Sequence, residues 1–284
     1  MARLARREMI DPSEIQICHT ISRCVRRAFL CGDDPHSGEC YEHRRQWIRD
    51  RLEFLASIFG IDCLTYAIMS NHIHLVLRSR PDIVAAWSDE EVARRWLRLF
   101  PVRRERDGSA AEPTGAEIAA IVSQADMLAE RRRRLSDISW WMRCTTEHIA
   151  RRANREDCCT GHFWEGRYKC QLLLDEASLL ACAAYVDLNP VRAAMAETLE
   201  ESLYTGAKDR IDDQSGKKQA GRKKMHDCER NRPGSKSGWL SPVEANESSD
   251  PTGPDACNRG RRASRKGFLP ISLCEYLELL DWTG

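Results

Sequence analysis

Two short apolar runs, Cys63 to Met69 and His72 to Arg78, stand on either side of Ser70-Asn71, directly after a longer stretch with helical spacing. A two-residue connection between β-prone runs leaves room only for an antiparallel hairpin. Side chains alternate across a strand, so the second run sends Ile73, Leu75 and Leu77 to one face and His72 and His74 to the other. The apolar face packs a core, and the two imidazoles share the remaining face with Cα atoms about 7 Å apart. The stretch before the hairpin, Tyr41 to Phe59, places Trp47, Ile48, Leu52, Leu55, Ile58 and Phe59 on one helical stripe that lies on the sheet. Gly60 then suits a left-handed position just past a helix end. Farther upstream, about Ile15 to Arg26, loose alternation of Ile, Thr and Val predicts a first strand.

Downstream of the hairpin, about residues 81–134 read as an insertion with two amphipathic stretches, Glu90 to Leu99 and Glu117 to Leu128, around the polar loop Arg103 to Gly115. Ser136 is placed to cap a helix in which Ile138, Trp141, Met142, Thr145 and Ile149 trace one face. Its far end carries Arg151, Arg152 and Arg155. Gly161 to Leu174 is aromatic and β-prone, and a last helix, about Glu176 to Leu188 with Asp175 as its cap, stops at Pro190. From Gly206 to Arg265 apolar periodicity disappears, and Gly, Ser, Pro, Lys and Arg predict a flexible basic linker. Such a tail either follows a phosphate backbone or is simply solvated. Order resumes in a short C-terminal helix opened by the capping box Ser272-x-x-Glu275, with Leu273, Leu277 and Leu280 on its apolar side.

At 284 residues the chain holds one good-sized core with extensions. The expected division is a catalytic domain over 1–200 with the helical insertion 81–134 inside it, a linker over 206–265 and a helix within 266–284. No apolar run reaches the roughly 18 residues that span a bilayer, and no secretory segment opens the chain, so a cytoplasmic protein without membrane contact is expected. The thirteen cysteines are scattered and lack any Cys-x-x-Cys, which disfavours both a zinc module and a disulfide framework. They read instead as small apolar core residues. With 44 basic and 43 acidic residues the overall charge does not mark a nucleic-acid binder, and any such surface must come from local clustering.

His-x-His on a strand is either a metal-chelating pair or a half-exposed strand face. Tyr185 and Asn189 lie one helical turn apart, so a phenol and a carboxamide address one side of a helix. A tyrosine there is either a core residue or a nucleophile. Phe163, Trp164, Arg167, Tyr168 and Lys169 mix rings for base stacking with cations for phosphates, or else Phe163 and Trp164 are core.

Three motifs occur in order: Met69-Ser-Asn-His-Ile-His-Leu-Val-Leu77, Gly161-His-Phe-Trp-Glu-Gly-Arg-Tyr-Lys169 and Tyr185-Val-Asp-Leu-Asn-Pro-Val-Arg-Ala193. Together they resemble the REP-associated tyrosine transposases, within the HUH single-tyrosine transposase superfamily, over roughly residues 15–196. The resemblance implies an α+β fold: a ferredoxin-like antiparallel sheet of four to five strands with helices on one face, and the histidine strand central. It implies that His72, His74 and Asn189 hold Mg²⁺ or Mn²⁺. Tyr185 would then attack a phosphate of single-stranded, hairpin-forming DNA to give a 5′-phosphotyrosine and a free 3′-hydroxyl, so that a second end can be joined without ATP. A homodimer in a prokaryotic, nucleoid-associated setting is consistent with the resemblance. Arg151, Arg152, Arg155, Arg167, Lys169 and Arg192 are the expected phosphate contacts. A different class of function, a non-catalytic nucleic-acid-binding regulator that keeps the fold, would be marked by a broken motif, and none of the four matched positions is broken. A metalloprotein using its cysteines structurally is the third reading.

Overall fold

The structure, a computed structural model, describes residues 11–25, 30–34, 38–220, 235–245 and 261–284, with the side chains of 216–220 excepted. Strand β1 (Ile17–Arg23) is followed by helix α1 (His43–Ile58), and then by the hairpin of β2 (Ile61–Ile68) and β3 (His72–Ser79). The insertion forms α2 (Pro81–Ala85), α3 (Asp89–Leu99), α4 (Gly115–Val122) and α5 (Ala125–Arg134). Helix α6 (Ile138–Glu156) and the short strand β4 (Lys169–Leu172) complete a β-α-β-β-α-β unit. The sheet has the order β2-β3-β1-β4 and neighbouring strands are antiparallel, so the histidine strand is internal as expected. The chain is thus α+β with a four-stranded antiparallel sheet.

Alternation assigns the two faces. Cys18, Ile73, Leu75, Leu77 and Cys170 point to the side covered by α1 and α6, where Phe59 meets Trp141 edge-on at 5.6 Å. Leu64, Ala67 and Val76 point to the other side. Helices are expected on one face, and α1 and α6 fill that role. The second face is covered as well, over part of its area, by α7 (Glu176–Asp187) and α10 (Leu273–Thr283), through Leu179, Ala183, Val186, Tyr276 and Leu280. The part left open carries the histidines.

Two local expectations need correction. Gly60 is not in the left-handed region, and the end of α1 is capped by Phe59 in extended geometry. Glycine is required there by close packing, because a Cβ would sit 2.1 Å from Val84 Cγ2. The cap of α6 is Asp137, whose carboxylate accepts from Ser139 N, whereas the Ser136 hydroxyl donates to Arg133 O. Asp175 does cap α7, in a capping box with Ser178, and the one-turn helix α8 (Asn189–Arg192) restarts the chain beyond Leu188.

The segment 206–265 departs from the expected flexible linker in every part that is described. Gly206–Ala220 is a helix, α9, with Asp209 accepting from Tyr66 Oη at 2.9 Å and from Arg49, and with Arg210 donating to Leu64 O. Trp239 is buried against Tyr66, Leu240 and Val243 are buried beside it, and Ser264 donates to Asp62. A segment with almost no apolar period is held here by buried polar contacts and a few isolated apolar anchors. Residues 221–234 and 246–260 of the expected linker lie outside the described residues.

The insertion is docked and helical. Arg95 donates to the carbonyls of Ser57 and Ile58 at the end of α1, satisfying acceptors that a helix C-terminus leaves open. Cys18, Cys24, Cys31, Cys63, Cys144 and Cys170 are buried and form no disulfide, in keeping with a packing role. Among the described residues no helix is long and apolar enough to cross a membrane.

Candidate active site

The register of β1 on β3 pairs Ile21 with His74 and Arg23 with His72, so that His19, Ile21 and Arg23 share the face of the two imidazoles. His19 stands diagonally to His74. The two rings stack at 5.2 Å with 16° between their planes, and His19 Nε2 lies 2.9 Å from His74 Nδ1. His72 and His74 meet edge-on at 4.7 Å. Tyr185, on α7, brings its ring to 5.6 Å from His74 and 6.1 Å from His19. It remains 41% exposed, which leaves the phenol open to a large substrate. These groups adjoin a cavity of about 300 Å³ that Arg23, Glu165, Arg167 and Lys169 also line.

Electrostatics keep all three imidazoles neutral. Burial lowers His19 to about 4. Burial, aided by the charge of Arg23, lowers His72 to about 4. His74 falls to about 3 through burial, the neighbouring imidazoles and Arg23. Neutral imidazole is the form that carries a ligating lone pair.

Hydrogen bonds constrain where the protons sit. His72 Nδ1 is bonded to the side-chain oxygen of Asn71, which can only accept, so its proton is on Nδ1 and the Nε2 lone pair is left over. The His19–His74 bond is compatible with two placements. Only the one with the proton on His74 Nδ1, donated to His19 Nε2, leaves a lone pair on His74 Nε2. That atom is buried and has no hydrogen-bond partner among the described residues. A buried orphan acceptor beside a second available imidazole nitrogen is what a cation site with its ion removed would show. The donor chemistry therefore fits a divalent ion at His72 and His74, although no three His, Cys, Asp or Glu groups among the described residues are preassembled around one point.

The other expected residues divide. Arg167 and Lys169 line the cavity with Tyr185. Asn189 does not line it: its side-chain nitrogen donates to Tyr185 O at 3.1 Å across one helical turn. Arg192 is exposed on α8, also outside the cavity lining. Arg151, Arg152 and Arg155 sit on α6, against the opposite face of the sheet. Phe163 is buried, and Trp164 packs on the core while donating to Thr146 O at 2.8 Å, so these two rings are structural. Sequence reasoning missed His19, Arg23 and Glu165. Alternation within β1 was the available signal for the first two, and Glu165 lay unmarked inside a quoted motif.

No family model and no curated protein matches the chain. Among solved structures it is similar to a REP-associated tyrosine transposase bound to a REP hairpin, at 9% identity and a TM-score of 0.38, over 67% of this chain and 75% of that one. Values of that size leave the functional case to the side chains.

Proposed function

We propose that this chain is a metal-assisted tyrosine transposase that nicks and rejoins single-stranded, hairpin-forming DNA through a covalent 5′-phosphotyrosine. The observation that carries it is the buried Nε2 of His74, without a hydrogen-bond partner among the described residues, beside His72 and under the exposed Tyr185. Three motifs in the order of the REP-associated tyrosine transposases support the same reading.

His72 and His74 would hold the ion, and His19 would accept a hydrogen bond from His74 Nδ1. The oxygen ligand is drawn from Asn189, one turn beyond Tyr185, or from Glu165 in the cavity wall; hard divalent ions prefer such donors. When bound, Mg²⁺ or Mn²⁺ supplies Lewis-acid polarisation of a non-bridging phosphate oxygen. Arg23, Arg167 and Lys169 bring cationic groups to the phosphates on either side of the scissile one. Tyr185 Oη attacks phosphorus: the Oη–P bond forms, the P–O3′ bond breaks, the phenolic proton passes to water and the leaving 3′-oxygen is protonated. In the reverse sense, a 3′-hydroxyl from another end attacks the phosphotyrosine and releases Tyr185, conserving the diester bond energy.

The test mixes the full chain with a labelled single-stranded hairpin, with and without Mn²⁺, and looks for an SDS-resistant protein–DNA adduct. Adduct in the wild type that disappears in Tyr185→Phe supports the proposal. Adduct that persists in Tyr185→Phe removes the nucleophile, and tight binding with no adduct points to the non-catalytic regulator.

A further inference from the structure

On the side of α1 and α6, away from the histidine face, lies a larger groove of about 1000 Å³. Three separate parts of the chain supply its cations: Arg51 from α1, Arg98 and Arg104 from the insertion, and Arg151, Arg152 and Arg155 from α6. Glu147 is the one carboxylate among its lining residues, and it is shared between Arg143 and Arg151. The whole chain has nearly equal numbers of acidic and basic residues, so six arginines to one glutamate is a local concentration. Most arginines elsewhere in the insertion are matched: Arg95 pairs with Glu91, Arg103 with Glu117, Arg132 with Asp89, and Arg133 and Arg134 with Glu130. Arg98 and Arg155 in the groove have no acidic partner among the described residues.

We infer that this groove is a second nucleic-acid surface, one that binds the phosphate backbone of double-stranded DNA. A single small anion would need two or three converging donors, whereas these guanidinium groups are spread along a groove. Several are held in place by uncharged contacts that leave their charge unneutralised: Arg51 donates to Cys144 O, Arg104 donates to Gly108 O, and Arg152 lies 3.9 Å above the Trp47 ring. Guanidinium groups suit phosphate oxygens geometrically, and a strongly positive wall is characteristic of protein–DNA rather than protein–protein contacts. Single strands are gripped chiefly by base stacking on exposed rings. Here Phe54 has Arg51 over its face, and Phe100, 42% exposed, packs against Trp96, so one partly exposed ring stands beside six guanidinium groups. The inference gives the insertion a role: Arg98 and Arg104 build one wall. It does not depend on the chemistry of Tyr185.

The test is fluorescence anisotropy of a labelled blunt duplex with the full chain in chelator, where no cleavage takes place. Arg151→Glu combined with Arg155→Glu, both exposed positions, should weaken duplex binding at least tenfold. The same pair should lower the slope of log affinity against log salt by roughly two, since each phosphate neutralised contributes about 0.9. Arg98→Glu should act in the same direction. Glu147→Gln should strengthen binding, an opposite sign that misfolding would not produce. Wild-type affinity and slope in the charge reversals would overturn the inference, as would a single strand of equal length bound more tightly than the duplex and equally impaired by the substitutions. A wild type that forms no adduct would sink the transposase proposal while leaving this binding result intact.

Discussion

His19 Nε2 and His74 Nδ1 lie 2.9 Å apart across β1 and β3, so the protonation of one ring sets the free nitrogen of the other. An outer partner of this kind typically changes metal affinity by about 10- to 100-fold when it is removed. His19→Ala should therefore weaken Mn²⁺ binding by that factor in calorimetry. His19→Gln, whose amide oxygen can still accept from Nδ1, should recover most of it. Equal losses in the two variants would show that His19 serves packing alone.

The same three imidazoles predict how the metal-free protein responds to acid. His19 and His72 sit at about 4 and His74 at about 3, all below the ordinary 6.5 because the folded state buries them neutral. Between pH 6.5 and 4 the unfolded chain therefore binds more protons, and stability must fall as pH falls through that window. Thermal melts from pH 7 to 4.5 should show a declining midpoint, and His74→Phe should flatten the decline. A slope unchanged in His74→Phe would assign the acid sensitivity to other groups.

Asp187, two residues beyond Tyr185, is fully buried and accepts from Thr65 Oγ1, Ala207 N and Tyr276 Oη, each within 2.7 to 2.9 Å. Tyr276→Phe leaves a buried carboxylate with one donor fewer and should cost about 1–3 kcal/mol in denaturant unfolding. Asp187→Ala strands all three donors and should cost more. Tyr185→Phe, at an exposed phenol, should leave unfolding within about 0.5 kcal/mol of wild type, so its loss of adduct cannot be blamed on folding.

Gly60→Ala pushes a methyl group into Val84 Cγ2, where 2.1 Å is available. Overpacking of this kind costs about 1–3 kcal/mol, and the variant should melt correspondingly lower. Val84→Ala made in the same chain should return part of that loss; if the double variant is no better than the sum of its singles, the contact is not the cause.

Most of the sheet and the placement of both imidazoles on one face of β3 were legible because both rest on short-range patterns. The Ser70-Asn71 turn fixes the hairpin, period-two alternation separates His72 and His74 from Ile73, and helical spacing finds α1 and α6. His19 was hidden because its role depends on pairing with a strand 55 residues away, and nothing local in β1 announces that register. The sequence placed Arg151, Arg152 and Arg155 at the far end of α6, but not which face of the sheet α6 would cover, and the fold sets them behind Tyr185's site. The order in 206–245 escaped notice for a different reason. Asp209, Arg210 and Trp239 dock singly, through polar bonds and one ring, so no hydrophobic period records them.

The bond between Asp187 and Tyr276 has a consequence for the order of events during synthesis. The two residues are 89 positions apart, so the tyrosine that steadies the helix under Tyr185 is made well after that helix. A ribosome releases the whole histidine strand and Tyr185 well before α10 exists to close the lower side of that helix. The newborn chain thus carries His72, His74 and Tyr185 before it has the underside that seats them, and the helix bearing Tyr185 gains its full support only once Tyr276 has been made.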